Sequence, residues 1–211
     1  MRQDPGHIGR NWKRWEIRAA WDLAIGKKDR NDYTVGIVGG MDPEGRVHLL
    51  DCVRGRFGSK EIAEAVLDTA QRWRVGMVGL EEGQIKLAVM PYLQDLMASR
   101  NFYPAFTEGK SALRPITDKE ARARVAQGWL QNGKLVIPHP THAPWVEVLI
   151  SELLRFPAGI HDDQVDALAW LMRMFATVRP PQEQKRRRTK SWKDKLKQHI
   201  QEGWLKHPMA A

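Results

Sequence analysis

Three carboxylates fall within five residues near the end of the chain, in His161-Asp162-Asp163-Gln164-Val165-Asp166-Ala167-Leu168-Ala169-Trp170. Continued to Phe175 at about 100° per residue, the stretch reads as a helix. Val165, Ala167, Leu168, Ala169, Leu171, Met172 and Phe175 fall on one broad face, and Asp162, Asp163 and Asp166 fall together on the other. Three ionised carboxylates in one helical turn repel one another, and a cation is the simplest way to hold them together. A plainer reading is also open: one Asp caps the helix while the others profit from its dipole or face water.

Acids elsewhere in the chain bear on that choice. Asp22 sits inside Ile17-Arg18-Ala19-Ala20-Trp21-Asp22-Leu23-Ala24, a strand with apolar residues on both sides of the carboxylate. Unpaired, it would be costly, so it calls for a partner or a cation. The continuous apolar run Val75 to Leu80, of the kind a strand buried on both faces requires, ends in Glu81-Glu82-Gly83. Softer ligands are scarce. The single cysteine, Cys52, excludes an internal disulfide and a cysteine-rich zinc site, and reads as a buried, inert thiol. His139 and His142 lie in a Pro-rich turn without acidic neighbours and read as loop residues. An oxygen-only set suits Mg²⁺ or Mn²⁺. The matching chemistry is phosphodiester hydrolysis with two ions about 3.5 to 4 Å apart, one activating water and the other stabilising the leaving oxygen.

The elements that must position these acids follow from local pattern. Tyr33 to Val38 and Arg46 to Val53 read as two more strands about the turn Gly40-Met41-Asp42-Pro43-Glu44-Gly45. Helices are expected from Ser59 to about Arg74, Ile85 to Ser99, Thr117 to Leu130 (opened by the capping box Thr117-Asp118-Lys119-Glu120) and Pro144 to Arg155. Short strands are expected at Phe102 to Phe106 and Leu135 to Ile137. Thr107 to Pro115 is a polar loop; its Gly109-Lys110-Ser111 mimics a phosphate-binding loop but has Pro104 where the first glycine is needed, so no ATPase site is credible. The order of three strands, then helices alternating with strands, predicts an α/β fold. Its mixed sheet would have three antiparallel strands followed by parallel ones, with the first strand central, beside the strand ending at Glu81.

Trp21-Asp22-Leu23-Ala24, Asp32-Tyr33-Thr34-Val35-Gly36, Val78-Gly79-Leu80-Glu81-Glu82 and Leu153 to Ala167 together resemble the C-terminal nuclease domain of tailed-phage large terminases, over about residues 10 to 178. The resemblance implies an RNase H-like, resolvase-like fold and a metal-dependent endonuclease that cuts concatemeric phage DNA during packaging. By position, Asp22 matches the ligand that bridges both metals. Glu81 matches the acid ending the next buried strand, with Glu82 as its competitor, and Asp163 matches the helix ligand, with Asp166 and Asp162 competing. Lys110, Arg114, Lys119, Arg122 and Arg124 are candidates for phosphate contacts. Double-stranded DNA is the implied substrate, and the portal, the small terminase subunit and an ATPase motor domain are the implied partners. The chain has no room and no motif for that motor, so it is either an excised domain or a separate nuclease.

The charge of +9 is concentrated. From Arg179 onward ten Lys or Arg face three acids, so +7 of it lies in a tail containing Lys185-Arg186-Arg187-Arg188. That tail is expected to seek nucleic acid, and its Trp192, Leu196, Ile200 and Trp204 spacing predicts a short amphipathic helix. Residues 1 to 16 read as a lead-in, 17 to 178 as the nuclease domain and 179 to 211 as the tail. Neither a membrane span nor a signal peptide is present, so the bacterial host's cytoplasm is the expected location. Two alternatives remain: a resolvase or RNase H relative acting on branched DNA or hybrids, and a non-catalytic DNA-binding packaging protein.

Overall fold

Alternation along the first strand decides where its carboxylate faces. In β1 (Glu16–Asp22), Ile17, Ala19 and Trp21 enter one apolar cluster and Ala20 enters another, so Asp22 shares the side of Ala20. The computed structural model describes residues 12, 14–26, 32–108, 112–113, 119–159, 162–182, 196–197 and 199, without the side chains of 119, 120, 122 and 123. The chain divides into two compact units, Met1–Pro181 and Gln182–Ala211. All elements named below belong to the first.

After β1 come β2 (Thr34–Met41), β3 (Val47–Gly55), α1 (Ser59–Trp73), β4 (Met77–Leu80), α2 (Gln84–Arg100), β5 (Ala105–Phe106), α3 (Lys119–Gln131), β6 (Leu135–Val136), α4 (Trp145–Arg155) and α5 (Asp163–Ala176). The six strands form one sheet in the order β5-β4-β1-β2-β3-β6. β1 is antiparallel to β2 and parallel to β4, which makes it a central strand beside the one that leads into Glu81, as the element order requires. β5 and β6 are shorter than their apolar runs suggest. Each makes only two ladder pairs, Ala105 and Phe106 with Met77 and Val78, and Leu135 and Val136 with Val47 and His48.

Each sheet face has its own core. α1 and α2 cover Ile17, Ala19, Trp21, Val38, Leu50, Val78 and Leu80. The opposite face, with Ala20, Val35, Ile37, Met41, Val47 and Leu49, meets α5, with α3 and α4 contributing Ala126 and Leu149. Trp12 joins the first core edge-on to Trp73, with ring centroids 5.6 Å apart. α5 is buried almost all round, from Asp163 to Met172. Each large apolar side chain it buries contributes about 2 kcal/mol. Two glycines let the layers approach this closely: a Cβ on Gly79 would come within 2.5 Å of Met174 Sδ on α5, and one on Gly36 within 2.5 Å of the Trp21 ring.

A bulge changes the phase of β3. Val38 pairs with Asp51 while the next residue, Gly39, pairs with Leu49, so Leu50 is an extra residue in the ladder. Before the bulge, Val47 and Leu49 face α5. Beyond it Cys52 faces α5, and Asp51 turns to α1, where Trp73 Nε1 donates to its Oδ2 at 2.7 Å.

Candidate metal centre

Trp21 lies opposite Leu80 in the parallel β1–β4 ladder, so Asp22 and Glu81 follow at the same ends of neighbouring strands. Val78 and Leu80 point to the α1 face and Gly79 to α5, and the same alternation turns Glu81 toward α5 with Asp22. Glu81 is anchored past the strand end by a parallel bridge to Leu113, whose carbonyl accepts the Glu82 amide at 2.8 Å. The first turn of α5 comes to this end of the sheet. Its acids do not face water: Asp163 and Asp166 are 7 % and 8 % exposed. Asp162 stands at the N-cap, half-buried, and makes no capping hydrogen bond through its side chain.

Electrostatics ties the four acids together. The Asp22 carboxyl is held well above the ordinary carboxylate range, although the residue as a whole is only half-buried. Burial of the carboxyl is the largest cause, then the charge of Glu81 and a hydrogen bond with its side chain, then the charges of Asp166 and Asp163. Thus Glu81, Asp163 and Asp166 each lie within electrostatic reach of Asp22.

No three or more His, Cys, Asp or Glu among the described residues stand ready-arranged as a cation cage. The donor set nevertheless fits a hard divalent cation. It is all carboxylate oxygen, drawn from β1, the end of β4 and α5, and its members raise the proton affinity of Asp22, which is what an excess of negative charge does before a counter-charge offsets it.

Around the acids lies a polar network that pattern reading missed. Glu152, 8 % exposed on α4, accepts the Gln164 backbone amide on Oε2 and the Gln164 side-chain amide on Oε1, each at 3.0 Å. The Arg54 guanidinium reaches Glu152 Oε1 at 3.5 Å and stacks on Tyr33 with 3.5 Å to the ring centroid. Cys52 Sγ donates to Gln164 Oε1 at 3.5 Å, and burial pushes its thiol far up, the inert state expected of it. One signal was available: Glu152 continues the buried stripe of Val146 and Leu149, a face where an acid needs a partner.

Three of the basic candidates lie on one helix. Lys119 and Arg122 belong to the first turns of α3, and Arg124 is exposed further along it. Lys110, Arg114 and Lys185 to Arg188 lie outside the described residues. His139 lies in a turn, where its Nδ1 accepts the Thr141 amide at 3.2 Å.

Comparison with known proteins agrees with this architecture. A family model described as "Terminase RNaseH-like domain" matches residues 19–175. The fold is similar to the human cytomegalovirus terminase nuclease domain in an Mn-soaked, inhibitor-bound structure, with TM-score 0.56, 11% identity and coverage of 83% of this chain and 89% of that one. It is also similar to the magnesium-bound large terminase nuclease of thermophilic phage G20c, with TM-score 0.51, 16% identity and coverage of 75% and 80%. No curated protein sequence matches.

Proposed function

The chain belongs to the terminase RNaseH-like domain family, and from that membership we propose that it is a Mg²⁺- or Mn²⁺-dependent DNA endonuclease that cuts concatemeric viral DNA during phage genome packaging. The observation that carries the reading is the placement of Asp22 and Glu81 at the same ends of neighbouring strands, on the sheet face that α5 covers, with Asp163 and Asp166 buried in the first turn of that helix. Asp22, Glu81 and Asp163 would hold the cations, with Asp166 one turn behind. Bound there, the ions supply a nucleophile at neutral pH and stabilise charge on the leaving oxygen of the phosphodiester. The remaining work belongs to the chain. Asp22 and Glu81 are held by the β1–β4 ladder, Asp163 by α5, and Lys119, Arg122 and Arg124 on α3, which packs on α5, hold phosphates of duplex DNA. The magnesium-bound phage nuclease of similar fold supports the choice of ion. The portal, the small terminase subunit and an ATPase motor are the proposed partners in the host cytoplasm; no helix among the described residues is long and apolar enough to cross a membrane.

Incubation with supercoiled plasmid tests the reading. Nicking and linearisation are expected with Mg²⁺ or Mn²⁺ and not with chelator, and Asp22→Asn should abolish both while keeping the wild-type circular dichroism spectrum. Cleavage by a folded Asp22→Asn variant would sink the site. Preference for four-way junctions or RNA–DNA hybrids over plain duplex would move the substrate to the resolvase or RNase H class.

A further inference from the structure

A helix leaves its first four backbone amides without intrahelical acceptors, and the N-cap side chain normally serves the second or third of them. α5 departs from this arrangement. Asp162 occupies the N-cap and makes no side-chain cap hydrogen bond, while the amide of Gln164, the second residue of the helix, is accepted by Glu152 from α4 at 3.0 Å. The same carboxylate takes the Gln164 side-chain amide at 3.0 Å, and Arg54 of β3 stands 3.5 Å from it. Glu152 therefore has both oxygens engaged and is 8 % exposed.

We infer that Glu152 is a positioning residue for the metal centre: it caps α5 from the neighbouring helix, fixing the first turn and relieving the aspartates there of capping duty. The inference rests on the proposed function, since it is toward a divalent ion that Asp163 and Asp166 would be positioned. Three elements converge on this one carboxylate. α4 supplies it, α5 donates two hydrogen bonds to it, and β3 offsets its charge through Arg54, which the bulge at Leu50 turns to this face. Outer-sphere partners that orient metal ligands typically change metal affinity or activity about 10–100-fold when removed.

The test is a Mn²⁺ titration of the full chain, read as the rise in melting temperature and, independently, by calorimetry. Glu152→Ala should raise the Mn²⁺ concentration at half-effect by about tenfold or more. Glu152→Gln keeps an acceptor for the Gln164 amide and should fall between Ala and wild type. Leu149→Ala destabilises the same helix without touching the cap and should leave the half-point where it is. A folded Glu152→Ala with a wild-type half-point overturns the inference, as does a Leu149→Ala that moves it equally. Should Glu152→Ala not fold, Glu152→Gln decides instead, and a wild-type half-point there counts against it. The two failures are separable. Mn²⁺ binding that Asp22→Asn removes but Glu152 variants do not touch overturns the inference alone, whereas a wild type that binds no Mn²⁺ overturns the proposed function and the inference with it.

Discussion

Two aspartates with opposite environments set the chain's response to charge. Asp22 is held above the usual carboxylate range by burial and by Glu81, Asp166 and Asp163, so its ionised form destabilises the fold. In chelator at neutral pH, Asp22→Asn should therefore raise the melting temperature, on the order of 3 °C for each kcal/mol of burial cost and repulsion removed in a chain of this size. An unchanged or lower melting temperature would contradict the repulsion. Asp42, in the β2–β3 turn, is the opposite case. Burial pushes its carboxyl up, but hydrogen bonds from His48 at 2.8 Å and from the Arg46 amide and side chain at 2.8 Å outweigh it, and the carboxyl ends below the ordinary range. Glu44, the other charge here, lies 3.4 Å from Arg46. A depressed carboxyl stabilises the fold fully above the unfolded value of about 3.9, and this is lost as pH falls through the folded value. Asp42→Asn should cost about 2 kcal/mol at neutral pH. Its deficit against wild type should shrink in denaturant titrations as pH drops below that window. A deficit of the same size at pH 7 and in strong acid would remove Asp42 as the cause.

Among elements, the two that carry acids were legible for different reasons. β1 announces itself through apolar residues on both sides of Asp22, and α5 through its helical period. What pattern could not give is that α5's acidic face is buried too, because enclosure depends on what packs there. Arg54 was illegible for a geometric reason. Val47 to Val53 reads as an uninterrupted strand, and nothing in it marks Leu50 as the residue that shifts the phase and turns Arg54 to the α4–α5 side. The tight seam between β1 and β2 was equally silent. Gly36 sits where any Cβ would meet the Trp21 ring, so Gly36→Ala must displace an indole adjacent in sequence to Asp22. Overpacking of this kind costs about 1–3 kcal/mol, and the variant should lose Mn²⁺-dependent cleavage more steeply than its melting temperature alone explains. Full activity in a folded Gly36→Ala would show that Asp22 is not held through Trp21.

For the molecule as a whole, most of the net positive charge lies outside the sheet domain. Seven of the nine net positive charges lie from Arg179 onward, beyond the last helix of the sheet domain. Deleting residues 180 to 211 should weaken duplex affinity and flatten the dependence of log affinity on log salt, by about 0.9 for each phosphate the shortened chain no longer neutralises. Metal-dependent cleavage at low salt should survive. An unchanged salt slope would remove the tail from the interface. Pro180-Pro181 and the charge run mark the expected start of the tail in the sequence, whereas what the tail touches depends on a surface that composition does not describe.

Asp22 comes from the opening strand and Asp163 from the closing helix, with nearly the entire domain threaded between them. A chain released from the ribosome before α5 can own half of the acids and none of the centre. On the proposed function, an ion held by these acids would bind only the finished fold, deepening the native well by mass action and coupling catalytic competence to completed synthesis.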